Sequence, residues 1–116
     1  DAEFNHIRDF KGYDHPFVID GWKPNILGEV GTLRDPRSGR WVEVLSSQPS
    51  VMIYTGNWLA GGCPETKHGG QYADYDGVAI ECQNYPDAVN HADFPSPLLH
   101  PGETYCQKIV FRFGIC

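Results

Sequence analysis

The sequence predicts an all-β protein, an antiparallel β-sandwich. Three observations carry that expectation. Tyr105 to Phe113 alternates strictly, with Tyr105, Gln107, Ile109, Phe111 and Phe113 on one face and Cys106, Lys108, Val110 and Arg112 on the other, the period of a pleated strand. Five further short stretches read as strands separated by turn residues, and none has the 3.6-residue period of an amphipathic helix. The composition agrees: 13 Gly, 9 Pro, six Phe, six Tyr and three Trp suit short strands in a loop-rich frame.

The elements follow in order. Residues 1–12 space Phe4, Ile7 and Phe10 at helical intervals, but the segment is short for an independent helix and Gly12 ends it. His15 to Asp20 reads as a strand, closed by the Asp20-Gly21 turn and by Pro24-Asn25. Ile26 to Leu33 is a second strand, with Gly28 and Gly31 as candidate bulges. Arg34 to Gly39 is a hairpin loop, and Trp41 to Ser46 returns from it. Gln48-Pro49-Ser50 interrupts the chain before a strand at Val51 to Thr55. Gly56 to Gln71 is a loop, Gly77 to Gln83 a strand, and Asn84 to Gly102 an irregular segment stiffened by Pro86, Pro95, Pro97 and Pro101.

Length and charge narrow the function. The 116 residues allow one domain. A net charge of −6 argues against nucleic acid as a partner, because phosphate binding needs surplus Lys and Arg. No apolar run reaches membrane-spanning length, so no membrane partner is expected. The chain begins at Asp1 with neither Met nor a signal-peptide pattern, which reads as a processed chain, an expression piece or a fragment. Cys63, Cys82, Cys106 and Cys116 show no metal-ligand spacing. They permit two disulfides in any of three pairings, or four free thiols. Their number favours a secreted protein over a cytoplasmic one. Cys116 reads as a tie-down for the end of the chain or as a link to another chain.

The stretch with chemical content is DGVAIECQNYPDAVNHADFPSPLLHPGETY, residues 76–105. It places one carboxylate, Glu81, in a short apolar strand beside a proline-rich arm, and the expectation is a half-buried acid. Alternation sets Glu81 with Ala79 and Gln83, opposite Val78, Ile80 and Cys82. This stretch resembles the C-terminal signature of the aldose 1-epimerase family, a strand with a glutamate followed by Pro-Asp-x-x-Asn-His and Pro-Gly-Glu-x-Tyr. Two upstream pieces match in the same order: Lys11-Gly12-Tyr13-Asp14-His15-Pro16-Phe17 and Tyr54-Thr55-Gly56-Asn57-Trp58-Leu59. The resemblance covers nearly the whole chain, and it implies the C-terminal part of a large β-sandwich.

It also implies a reaction, the interconversion of the α and β anomers of a hexose such as galactose or glucose, with no cofactor and no metal. Glu81 occupies the position of the catalytic base, and Asp14 that of a carboxylate accepting hydrogen bonds from sugar hydroxyls. Met52 stands where the family usually has a glutamine that touches the sugar, so one polar contact is lost. Trp58 is the best of the three tryptophans for stacking on a sugar face, ahead of Trp22 and Trp41. Plainer roles compete: an edge-strand acid for Glu81, a turn or strand-entry acid for Asp14 and core or inter-sheet packing for Trp41. His15 and His91 match motif positions that look structural, and Asn90 with His91 is expected to pin the proline-rich arm through backbone bonds. The family's two catalytic histidines and a substrate arginine belong to an N-terminal part that has no counterpart here. Sheet edges left open by that absence predict a protein partner, either a second polypeptide supplying the missing part or another copy of the chain. Two readings follow: the C-terminal segment of an aldose 1-epimerase-like enzyme, inactive when isolated, or a non-catalytic carbohydrate-binding or structural module on the same fold.

Overall fold

The computed structural model describes residues 11–62 and 65–116. Six strands and one short 3-10 turn make up its regular structure: β1 Asp14–Val18, β2 Gly28–Arg34, β3 Arg40–Ser46, β4 Ser50–Tyr54, β5 Ala79–Gln83, the 3-10 turn Ala88–Asn90, and β6 Ile109–Ile115. They form two three-stranded sheets, ordered β1-β4-β5 and β2-β3-β6. The all-β antiparallel expectation holds. The possible helical turns before Gly12 lie outside the described residues.

Contacts divide the chain into two compact units. One is Asp1–His15 with Met52–Glu81; the other is Pro16–Val51 with Cys82–Cys116. In the second unit the hairpin between β2 and β3 closes on Asp35. Its carboxylate accepts from the backbone N–H of Arg37 at 3.0 Å and of Ser38 at 3.2 Å. Its backbone N–H donates to Arg40 O, and its carbonyl accepts from Gly39 N–H. Gly39 sits at φ 72°, the left-handed geometry this turn needs.

Strand β3 pairs antiparallel with β2 on one side and β6 on the other. Register places Leu33, Val42 and Phe113 in one row and Gly31, Val44 and Phe111 in the next on the same face. On the opposite face Arg112 donates to Glu43 at 2.8 Å, and the Trp41 indole lies over Gly114 so closely that a Cβ there would overlap the ring. The β2–β3 register shifts between Glu29 and Gly31, so the bulge expected at one of the two strand glycines falls at Gly31.

Several boundaries differ from the sequence reading. The largest shift is in the last strand, which starts at Ile109 rather than Tyr105 and runs on to Ile115. Alternation continues through 105–108, but β3 ends at Ser46 and offers no further ladder partner. Residues 105–108 bond instead to the chain beyond β3. Tyr105 OH accepts from Gln48 Nε2 at 2.9 Å, Ser47 Oγ donates to Gln107 Oε1, and Lys108 N–H donates to Ser47 Oγ. Strand β1 ends at Val18; Ile19 is buried, 8 % exposed, and Asp20-Gly21 follows as a turn. Strands β2, β3, β4 and β5 differ by one or two residues at an end.

The buried apolar side chains among the described residues are Ile19, Val44, Val51, Cys82 and Ala88, all in the second unit. Ser46, Ser47, Gln48, Pro49 and Ser50 are buried beside them, so this core is small and partly polar. Cys82, Cys106 and Cys116 are free thiols, and Cys63 lies outside the described residues. Two disulfides are therefore not formed, and the argument for secretion from cysteine number lapses. Cys116 is tied down by its backbone: its N–H donates to Gly39 O at 3.0 Å.

Candidate functional site

Asn57 is the best-buried side chain among the described residues of the first unit, 2 % exposed, and the predicted site residues lie around the turn that carries it. Its Nδ2 donates to Tyr13 O at 2.9 Å, and its Oδ1 accepts from Thr55 Oγ1 at 2.6 Å. Thr55 Oγ1 in turn accepts the Tyr13 backbone N–H at 2.9 Å, while the Thr55 N–H donates to Tyr13 O at 3.1 Å. Tyr13 is thus gripped at both backbone polar groups, one residue before Asp14. The grip requires Gly12: a Cβ there would fall within 2.5 Å of Thr55 Oγ1 and closer still to Asn57 Oδ1.

The same turn holds the approach to β5. Gly56 adopts φ 68°, and its carbonyl accepts from Tyr75 N–H at 2.8 Å. A Cβ on Gly56 would lie 2.6 Å from Gly77 O. The Thr55-Gly56-Asn57 turn therefore fixes the segment entering β1 and the segment entering β5 at once. Both glycines are obligatory for the same reason: backbone passes where a side chain would stand.

The predicted site residues fall on this frame. Asp14 opens β1, Met52 lies in β4 and Glu81 in β5. The order β1-β4-β5 makes these three consecutive strands of one sheet. Strand spacing of roughly 4.8 Å puts the β1 and β5 axes about 10 Å apart. Glu81 is exposed rather than half-buried, and so is Asp14; Met52 is intermediate. A five-residue strand with its polar side turned outward leaves the acid in solvent, whatever its apolar neighbours Ile80 and Cys82 suggest.

Trp58 follows the turn directly and is 60 % exposed. Its backbone N–H donates to Tyr54 OH at 2.9 Å. One face of its indole is occupied: Lys11 Nζ lies 3.7 Å from the ring centroid. The same ammonium is 3.6 Å from Asp74 Oδ2, and Asp74 Oδ1 accepts from Ala60 N–H. Tyr75 OH donates to Lys11 O at 2.7 Å, which anchors the lysine's backbone. Lys11, Thr55, Asn57 and Tyr75 are the working residues that pattern reasoning left without side-chain roles. The available signal was the glycine at position 12, with a second at position 56 inside a Thr-Gly-Asn run, because paired glycines in otherwise ordered segments mark close backbone approach.

Within the proline-rich arm the Asn90 and His91 side chains meet other side chains rather than the backbone groups expected of them. Asp87, at φ 58°, accepts from Asn90 Nδ2 and lies 3.3 Å from His91 Nε2. The His91 ring stacks on Phe94 at 4.8 Å, and Tyr85 meets Phe94 edge-on at 4.9 Å. No three His, Cys, Asp or Glu side chains among the described residues gather as a metal site. Trp22 lines a different place, a cavity of about 390 Å³ in the second unit shared with Asn25, Gln48, Asn84 and Gln107. Trp41 covers Gly114 on the neighbouring strand of its own sheet, rather than packing between sheets.

Three comparisons with known proteins bear on this arrangement. A sequence model of the family described as aldose 1-epimerase matches residues 2–112. Human galactose mutarotase is 40 % identical over 112 residues, covering 95 % of this chain and 32 % of its own length. The aldose 1-epimerase of Haemophilus influenzae is 38 % identical over 107 residues, 89 % of this chain and 29 % of its own. Among solved structures, a GalM/aldose epimerase homologue from C. elegans superposes with a TM-score of 0.75 at 29 % identity, over 93 % of this chain and 32 % of that one. The chain spans about a third of the length of these relatives.

Proposed function

Because the chain belongs to the aldose 1-epimerase family, we propose that it contributes the base and one sugar contact to the interconversion of hexose α and β anomers, in a site completed by a second polypeptide. Glu81 removes the proton of the anomeric hydroxyl. An acid on the completing polypeptide, a histidine by the family resemblance, protonates the ring oxygen. The C1–O5 bond opens to the aldehyde, the carbonyl turns about C1–C2, and O5 attacks the other face while both protons return. Nothing is consumed, so the site needs groups held in opposite protonation states and no redox partner.

Asp14 accepts hydrogen bonds from hydroxyls on the same sugar, Met52 offers an apolar contact where a polar one is usual, and Trp58 packs on the C–H face. The observation that carries this reading is the strand order, which sets Asp14, Met52 and Glu81 on consecutive strands within one compact unit. Polarimetry on freshly dissolved α-galactose and α-glucose tests it. Chain plus completing polypeptide is expected to accelerate the decay of rotation. Glu81→Gln should abolish the acceleration and Asp14→Asn should weaken it by about 10- to 100-fold, the scale of a lost charged hydrogen bond at 1.4 kcal/mol per decade. Decay at the buffer rate with the wild-type pair would sink the enzyme reading.

A second reading is a carbohydrate-binding or structural module without catalysis. The exposure of Glu81 and Asp14 and the ammonium over Trp58 favour it for the isolated chain. It predicts saturable sugar binding, seen by titration calorimetry, that survives Glu81→Gln.

A further inference from the structure

The cavity beside Trp22 is left without a role by the anomer chemistry. All of its lining residues belong to the second unit, whereas Asp14, Met52, Trp58 and Glu81 belong to the first. Its volume is about 390 Å³, within the roughly 300–1,000 Å³ of small-ligand sites. The lining is of two kinds. Pro24, Pro49 and Pro95 are apolar and stiff in backbone, and the Trp22 indole lines the cavity with them. The indole N–H is spent, donating to Ser47 O at 2.8 Å, so the ring is held in place and its faces are what it can offer.

The other kind is carboxamide. Asn25, Gln48, Asn84 and Gln107 line the cavity, and no Asp, Glu, Lys, Arg or His does. Gln48 is 5 % exposed and its amide is half used: Nε2 donates to Tyr105 OH at 2.9 Å, while Oε1 is buried with no hydrogen-bond partner. Among the described residues no other buried side-chain N or O is left in that state. Ser47 Oγ donates to Gln107 Oε1, which leaves the Gln107 NH2 as a donor. A buried acceptor without a donor costs free energy, and native folds keep few of them.

We propose that this cavity is a second, non-catalytic site for a neutral sugar, a hexose or a similar polyol. Three features choose the ligand. A lining without charged side chains disfavours an anion or a cation, which would lose its water and gain no counter-charge. The unpaired acceptor and the spare amide donors call for groups that both donate and accept, and a hydroxyl does both. The indole and the prolines suit the C–H face of a pyranose ring. One hydroxyl, directly or through a bridging water, supplies the donor that Gln48 Oε1 lacks, and its neighbours bond the Asn25 and Asn84 carboxamides. The site goes beyond the function proposed above and does not depend on it, because no residue of the anomer chemistry takes part.

Methyl α-galactopyranoside and methyl α-glucopyranoside are the probes, because a glycoside has no free anomeric hydroxyl and cannot mutarotate. Each is titrated into the full 116-residue chain, isotope-labelled for NMR of its side-chain N–H groups. At least one is expected to shift the Trp22 indole and the Gln48, Asn84 and Gln107 amide signals together, on one saturable millimolar curve. Asn84→Ala and Asn25→Gly should each weaken that binding by about 5- to 10-fold, the scale of a lost neutral hydrogen bond. Glycine keeps the φ of 61° found at Asn25, so the second variant removes the carboxamide without straining the turn. Asp14→Asn and Glu81→Gln should leave the curve where it is. No saturable shift with either glycoside, meaning a cavity that holds water only, would overturn the proposal. So would shifts confined to the first unit, wild-type affinity in both asparagine variants, or tighter binding of the charged methyl galacturonide. Anomer exchange is read separately by the polarimetry above, so either idea can fail while the other stands.

Discussion

Asn57 shows how one buried side chain can organise a turn. The first unit has no fully buried aliphatic or aromatic side chain among its described residues, yet Asn57 ties Tyr13 and Thr55 into one closed set of bonds. Asn57→Ala removes two of those bonds at a buried position, a loss of about 1–3 kcal/mol. A fall of that size is expected in the urea midpoint of the chain, with little change in slope. Cys82 offers a second residue-scale test. Burial pushes its thiol up from the ordinary value of 9.0, with a hydrogen bond from Ser46 as the opposing influence. At neutral pH it should resist alkylation after exposed Cys106 and Cys116 have reacted, as mass spectrometry of timed iodoacetamide samples would show. The sequence reading sets Asp14 just before a strand from His15, whereas β1 begins at Asp14 itself. The position of Glu81 on a strand was legible in the sequence, because period-two alternation is local. The exposure of Glu81 was not, since alternation separates two faces without saying which one is covered.

Among the elements, the β2–β3 hairpin was read almost to the residue, because Asp35, Pro36 and Gly39 are turn chemistry that acts locally. The start of β6 was misread because a strand's end depends on its neighbour's length, which no local pattern reports. The hairpin yields a pH prediction. The Ser38 hydroxyl first, then the Arg37 and Ser38 amides, hold the Asp35 carboxyl below its ordinary value of 3.8. A depressed folded-state value contributes stability above 3.8 that disappears as pH falls through the lower folded value. Urea midpoints measured from pH 6 down to pH 3 should therefore decline more steeply in the wild type than in Asp35→Asn. Equal slopes would show that the loop carboxylate has no part in acid sensitivity.

At the scale of the whole molecule, the buried apolar set among the described residues is short, Ile19, Val44, Val51, Cys82 and Ala88, while Phe113 and Ile115 are largely exposed and Phe111 and Leu33 about half exposed. Fully burying one such side chain is worth roughly 1.5–3 kcal/mol. Covering the β6 row would thus add several kcal/mol, comparable to a large part of a small domain's total stability of about 5–15 kcal/mol. That imbalance agrees with a chain spanning a third of its relatives' length. It could not be counted from sequence, where an aromatic strand facing a core and one facing water look alike.

The lysine resting on Trp58 changes what sugar recognition would mean here. An empty indole gains a hexose by simple contact. On the face capped by Lys11 one guest would be traded for another, the departing ammonium falling back on Asp74, 3.6 Å away. The cap is worth about 0.5–1 kcal/mol at an exposed site, so the swap would weaken any stacked hexose only a few-fold. It would also couple occupancy of the ring to the charge beside it, making the tryptophan responsive to ionic strength as well as to sugar.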